Sequence, residues 1–239
     1  MSPGRAPAES QLSIARYRMR IAKQGNARYL SHLDTVRTLL RTFRRAGVPI
    51  ALSGGFNPQP KVAYATALAV GIESEVQFAD IELVQQVAPV VIARAVAAEL
   101  PRGFTLKELR TVPLRKPALA SYPAVTRYEA APLDGGPAAG ADGTDPGVAL
   151  EQRVIELLTA AELIVHRQKD KQVDIRPYIL SVAVTSGPVI ALELLSDQTG
   201  APRVTEILTL LGLEPAAWQV RKTDFWPLEK GMRLSPWQA

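Results

Sequence analysis

Apolar and polar positions alternate along residues 14–22. Tyr17, Met19 and Ile21 fall on one side and Arg16, Arg18 and Arg20 on the other, which predicts a strand with an apolar face and a basic face turned outward. After a Gly25–Asn26 turn, Ser31 reads as a helix N-cap with Asp34 three residues on. An apolar stripe through Leu33, Val36, Leu40 and Phe43 predicts a helix stopped by Gly47 and Pro49. Its other side carries Arg37, Arg41 and Arg45 at successive i+4 steps, with Arg44 beside them. Extended patterns run over 49–53, 62–70 and 76–84, then a helix over 88–100 opened by Pro89, then a strand over 104–112.

The second half has a strand over 124–131 and a helix over 148–162 with Leu150, Val154, Leu157 and Leu158 turned inward. Extended segments at 163–166 and 169–175 come next, then strands at 178–185 and 189–195 across a Gly187–Pro188 turn. A helix over 203–211 and a strand over 218–226 complete it. Both halves run in the order of a split βαβ unit. The expected fold class is therefore α+β: two tandem ferredoxin-like (βαββαβ) halves with antiparallel sheets, at residues 14–115 and 120–228. Residues 132–147 are almost entirely Pro, Gly, Ala, Asp and Thr and read as a flexible insertion in the second half.

Composition narrows the chemistry. With no cysteine and two histidines in 239 residues, the chain offers no disulfide, thiolate-bound zinc or iron–sulfur cluster, and neither a metal site nor a cofactor is expected. No window approaches 18 uninterrupted apolar residues and the first residues are polar, so a cytoplasmic location without a membrane partner is expected. The net charge of +5 hides a strong asymmetry: ten cations and one acid lie between Arg16 and Lys61. Local rather than total charge governs steering and counterion release, so this segment is the footprint expected of a polyanion partner, the alternative being a solvated face that keeps the protein soluble. Arg16, Arg18, Arg20, Arg37, Arg41, Arg44, Arg45 and Lys61 are the candidate nucleic-acid contacts, the first strand and first helix pooling their charge on one surface.

Two stretches concentrate chemistry. One runs from Arg28 to Asp34 and includes Tyr29, Ser31 and His32; the other is Gly54-Gly55-Phe56-Asn57-Pro58-Gln59-Pro60-Lys61. Paired glycines permit close backbone approach and paired prolines stiffen the rest of the loop, so Phe56, Asn57, Gln59 and Lys61 are expected in a fixed geometry. A Walker-type phosphate cradle is absent. His32, in the first turn of a helix, is favoured as a neutral imidazole, and with Asp34 it is the candidate acid–base group. Further on, Asp174 and Arg176 stand two apart; they either pair structurally or face a cleft shared with the first half, where Arg176 offers a planar fork to an anion.

The strings Tyr-Leu-Ser-His-Leu-Asp (29–34) and Gly-Phe-Asn-Pro-Gln-Pro-Lys (55–61), with Val-Asp-Ile-Arg-Pro (173–177), resemble a bacterial family of radical-SAM-associated proteins of unknown function. The resemblance extends from about Tyr17 to Phe225. In that family the domain occurs alone or fused behind a cobalamin-binding radical SAM module, which implies that a free-standing copy works beside such an enzyme. It marks Tyr29, His32, Asp34, Phe56, Asn57, Pro58, Lys61, Asp174 and Arg176 as site positions. Gln59 departs from the histidine that the family pattern has between the two prolines. The resulting expectation is an accessory protein that binds RNA, either tRNA or rRNA, as a substrate-presenting module. Two alternatives stand beside it: an enzyme acting on a small anionic substrate or nucleic acid through His32 and Asp34, and an adaptor that docks a radical SAM enzyme.

Overall fold

The computed structural model describes residues 8–133, 146–168, 171–185 and 188–239. It is a mixed α+β structure with four helices among the described residues and mostly antiparallel sheet. The chain divides into two compact units, one comprising residues up to Tyr122 together with Leu234–Ala239, the other Pro123–Arg233. Most of the predicted flexible insertion at 132–147, and Gly187 of the predicted turn, lie outside the described residues.

The first unit contains β1 (Ala15–Lys23), α1 (His32–Arg45), β2 (Val62–Tyr64), β3 (Glu73–Leu83), α2 (Pro89–Glu99) and β4 (Phe104–Val112). Its strands lie in the order β4-β1-β3-β2 with every neighbouring pair antiparallel. The second unit contains β5 (Ala124–Pro132), α3 (Pro146–Thr159), β6 (Ile164–Arg167), β7 (Lys171–Asp174), β8 (Ile179–Val184), β9 (Ile190–Ser196), α4 (Val204–Leu210), β10 (Trp218–Glu229) and β11 (Met232–Arg233). Here the order is β10-β5-β9-β8, again antiparallel; β11 folds back on β10, and β6 and β7 form a separate ribbon. Helix α3 buries Leu150, Val154 and Leu157, one face of a 3.6-residue period.

In the first unit, Tyr17, Met19 and Ile21 of β1 and Ala79 and Ile81 of β3 pack with Leu39 and Phe43 of α1 and Ile92 and Val96 of α2. Helix α1 does begin at an N-cap: Ser31 Oγ accepts from Asp34 N at 3.1 Å. Of the predicted stripe Phe43 is buried and Leu40 packs against the core, but Thr35, Leu39 and Thr42 complete the buried face and Leu33 is 63% exposed. The threonines can enter the core because each returns its hydroxyl proton to a carbonyl one turn back, Thr35 to Ser31 O and Thr42 to Thr38 O.

The opposite face of this sheet, expected to be open and basic, is covered. Leu119 N donates to Asp80 Oδ2, Trp237 stacks edge-on against Phe78, and the Arg110 guanidinium lies over the Trp237 ring. Segments 113–122 and 234–239 therefore bury β1 from the second side.

Gly103, which opens the approach to β4, has φ +86° and accepts from Gln24 N at 2.8 Å. A Cβ there would lie 2.7 Å from Ala27 Cβ and 2.8 Å from Gln24 O. Left-handed strain and backbone collision act together, so Gly103→Ala is expected to destabilise by about 2–3 kcal/mol in denaturant unfolding.

Candidate functional site

Register decides the fate of the first arginines. Arg18 stands directly opposite Asp80, and Arg16 directly opposite Glu82, on the neighbouring strand β3. Arg18 is 0% exposed; its Nε and Nη2 donate to the two Asp80 oxygens at 2.7 and 2.9 Å, and Nη1 donates to the main-chain oxygens of Pro236 and Ala239. Arg16 donates twice to Glu82 Oε1, at 2.6 and 3.1 Å, and once to Lys116 O. Arg20 faces Glu108 at 3.7 Å. The expectation that β1 presents its cations to a polyanion is thus corrected for Arg16 and Arg18: both are buried and neutralised. Nor do β1 and α1 pool their charge, because these arginines point away from the sheet face that α1 covers. Two charges taken out of water must be matched by partners of this quality.

Helix α1 keeps its basic row. Arg37, Arg41, Arg44 and Arg45 are all exposed. Arg37 pairs loosely with Asp34 at 3.3 Å and Arg45 meets Glu99 at 2.8 Å, whereas Arg41 and Arg44 make no ion pair among the described residues. Exposed pairs of this kind are weak and give way readily to a polyanion.

The glycine–proline loop is tied at its base by hydrogen bonds. Ser53 N donates to Gln59 O, Gln59 N donates to Ser53 Oγ, and Gly55, at φ +99°, exchanges two main-chain hydrogen bonds with Ala8. Phe56 and Asn57 are exposed at the tip, with Gly54 and Pro58 beside them. Lys61 turns back, donating to Gln11 O at 2.8 Å and Ser13 Oγ at 3.2 Å. With Arg16, Gln59, Asp80, Glu82 and Ala118 it lines a cleft of ≈ 350 Å³.

The first motif stretch is met by a residue that lies just beyond the second. Strand β2, which leaves the loop, carries Tyr64 to His32, where the rings meet edge to face at 5.8 Å. Behind them Lys23 is buried and donates to Leu30 O at 2.7 Å. Gln77, on β3, donates through Nε2 to Thr66 O. Two atoms of this cluster are buried with no hydrogen-bond partner: Tyr64 Oη and Gln77 Oε1. Burial lowers the Lys23 pKa; burial and then the Lys23 charge lower that of His32. Burial raises that of the Tyr64 phenol, which stays protonated. Asp34 is half exposed and held below the usual carboxylate range chiefly by the Ser31 hydroxyl at 2.6 Å. Tyr29 is 58% exposed, with the Arg28 guanidinium over its ring. Sequence reading missed Lys23, Tyr64 and Gln77; their signal was a polar residue on the core-facing parity of each strand.

In the second unit Asp174 and Arg176 are committed locally and not to each other's side chain. Asp174 Oδ1 accepts from Leu163 N and Arg176 N, at 2.8 and 2.9 Å. Arg176 donates to Leu158, Ala160 and Ile179 carbonyls, closing the C-terminal end of α3. Among the described residues no group of three His, Cys, Asp or Glu is arranged to hold a metal ion, and no helix is long and apolar enough to cross a membrane.

Residues 16–204 match a family described as "Uncharacterized protein conserved in bacteria (DUF2344)". The chain belongs to the DUF2344 family. Both motif stretches, the Lys23–His32–Tyr64–Gln77 cluster and α1 with its arginines lie within the matched DUF2344 region. No curated protein matches the chain. Among solved structures, one described as "Crystal Structure of an Unknown Protein from Galdieria sulphuraria" is 13% identical, covering 90% of this chain and 99% of that one at a TM-score of 0.25.

Proposed function

We propose that this DUF2344 protein is a non-catalytic accessory module that binds RNA and presents it to a radical SAM enzyme, and that its two units are ferredoxin-like halves in tandem. The tandem reading is supported by the antiparallel strand orders β4-β1-β3-β2 and β10-β5-β9-β8, which match position for position once the β6–β7 ribbon is set aside. The radical SAM partner is supported by the sequence resemblance alone. RNA binding rests on one observation: the exposed row Arg37, Arg41, Arg44 and Arg45 on α1, in which two guanidinium groups have no ion pair among the described residues. Arg41 and Arg44 are three apart and so share one side of the helix, a spacing suited to successive phosphates.

The test is a salt titration of RNA binding by the full chain. Arg41→Ala with Arg44→Ala is expected to weaken binding of unrelated RNAs alike and to lower the slope of log affinity against log salt by about two units. A slope that the double substitution leaves unchanged, or no salt-dependent RNA binding at all, removes the proposal.

A further inference from the structure

Independently of the RNA reading, we infer that the cleft lined by Arg16, Lys61 and Glu82 in the first unit binds a small organic monoanion: a carboxylate carried on a short aliphatic body. The cleft lies on the sheet face that α1 does not cover, so it is separate from the arginine row. Its ≈ 350 Å³ falls at the small end of the range for ligand pockets, about 300–1,000 Å³.

Charge fixes the sign of the ligand. Two acids line the cleft and both are already answered, Asp80 by Arg18 at 2.7 Å and Glu82 by Arg16 at 2.6 Å. Lys61 makes no ion pair among the described residues, so the cleft holds one surplus positive charge. A monoanion balances it. A dianion such as a phosphate monoester would set its second charge against Glu82 and Asp80. The unspent hydrogen bonds are donors as well. Arg16 uses three of its five N–H groups, on Glu82 and Lys116 O, and Lys61 two of its three, on Gln11 O and Ser13 Oγ. Ser53 Oγ, also in the lining, accepts from Gln59 N, and its own proton has no acceptor among the described residues. A carboxylate, which only accepts, takes these protons; an ammonium cannot.

The donors are in place before a ligand arrives. Arg16 is 9% exposed and locked to Glu82, and Lys61 is held through its main chain, its N–H donating to Ala51 O and its carbonyl accepting from Glu82 N. Groups already ordered cost a small ligand nothing further to order. The rest of the lining is aliphatic, from Pro60, Val62, Ala63 and Ala118, and contains no aromatic ring. That suits a body that is apolar from the carboxylate outward. It disfavours the other oxyanion of single charge, an RNA phosphodiester, which brings polar sugars on both sides and bases that would find no ring to stack on.

The experiment titrates the full chain with butyrate, butyramide and dimethyl phosphate at constant ionic strength and follows the backbone amides by NMR. Butyrate is expected to saturate with a dissociation constant on the order of 1 mM, shifting the amides of Ser53, Lys61 and Ala63. Butyramide, of the same shape without the charge, is expected to bind about tenfold more weakly. Ala118→Leu narrows the cleft without removing a donor, and Lys61→Met removes the surplus charge. Each is expected to weaken butyrate about tenfold, and Ala118→Leu to leave the salt slope of RNA binding unchanged. Absence of saturable butyrate binding, equal binding of butyramide, or a butyrate affinity that survives either substitution overturns the inference. Tighter binding of dimethyl phosphate than of butyrate also overturns it, marking a phosphodiester site instead. None of these results touches the RNA reading, which stands or falls with Arg41 and Arg44.

Discussion

Asp80→Ala is expected to lower the folding stability by about 3–5 kcal/mol, because it strands the Arg18 guanidinium at 0% exposure with only main-chain oxygens for company. The substitution also removes the acceptor of Leu119 N. For a chain of this size the loss corresponds to a drop on the order of 10 °C in melting temperature. Replacing both partners, Arg18→Met with Asp80→Leu, is expected to recover only part of the loss, since it removes the stranded charge but leaves Leu119 N and the Pro236 and Ala239 oxygens without these partners. Urea unfolding of the three proteins measures the cycle. A cost below about 1 kcal/mol for Asp80→Ala would show that water reaches Arg18 and that β1 has an open face after all.

Lys222 gives the second large effect, through pH. It is 1% exposed, its ammonium lies 4.7 Å from the centre of the Phe225 ring, and burial pulls its pKa down to about 7. The unfolded chain holds that proton until about pH 10.5, so between about pH 7 and 10.5 the unfolded state binds more protons than the native one. Stability therefore rises with pH across that window, by on the order of 4–5 kcal/mol in total, and the gain is absent below pH 7. Lys222→Met is expected to remove this rise and to stabilise the protein most at pH 6 and least at pH 10. Urea midpoints at pH 6, 8 and 10 for both proteins test it; parallel pH profiles would mean that Lys222 keeps its ordinary pKa.

Most elements were legible because alternation and helical spacing survive without context. What the pattern of β1 could not say was where its arginines point for partners, because a polar face need not be a solvated one. Strand β3 carries Asp80 and Glu82 two apart, opposite Arg18 and Arg16 two apart, and antiparallel pairing superimposes them. Two strands whose polar faces carry opposite charge at matched spacing signal an internal ion-pair ladder, and that signal was in the sequence. The core face of α1 was misplaced because Thr35 and Thr42 count as polar in any pattern, although their hydroxyls are satisfied by their own helix. Asp174 and Arg176 looked chemical for a similar reason: a carboxylate that accepts two amides and a guanidinium that closes a helix are written with the same letters as a binding site. The His32–Tyr64 contact was invisible because it depends on which strand leaves the loop and how β2 registers on β3.

The return of Leu234–Ala239 to the first unit sets an order for biosynthesis. A ribosome releases the chain from its N-terminus, so β1 emerges early, whereas Pro236 and Ala239, which accept from Arg18, and Trp237, which covers Phe78, emerge only after all of Pro123–Arg233. The nascent first unit must therefore wait, with part of one side of its sheet uncovered, until translation has passed through the second.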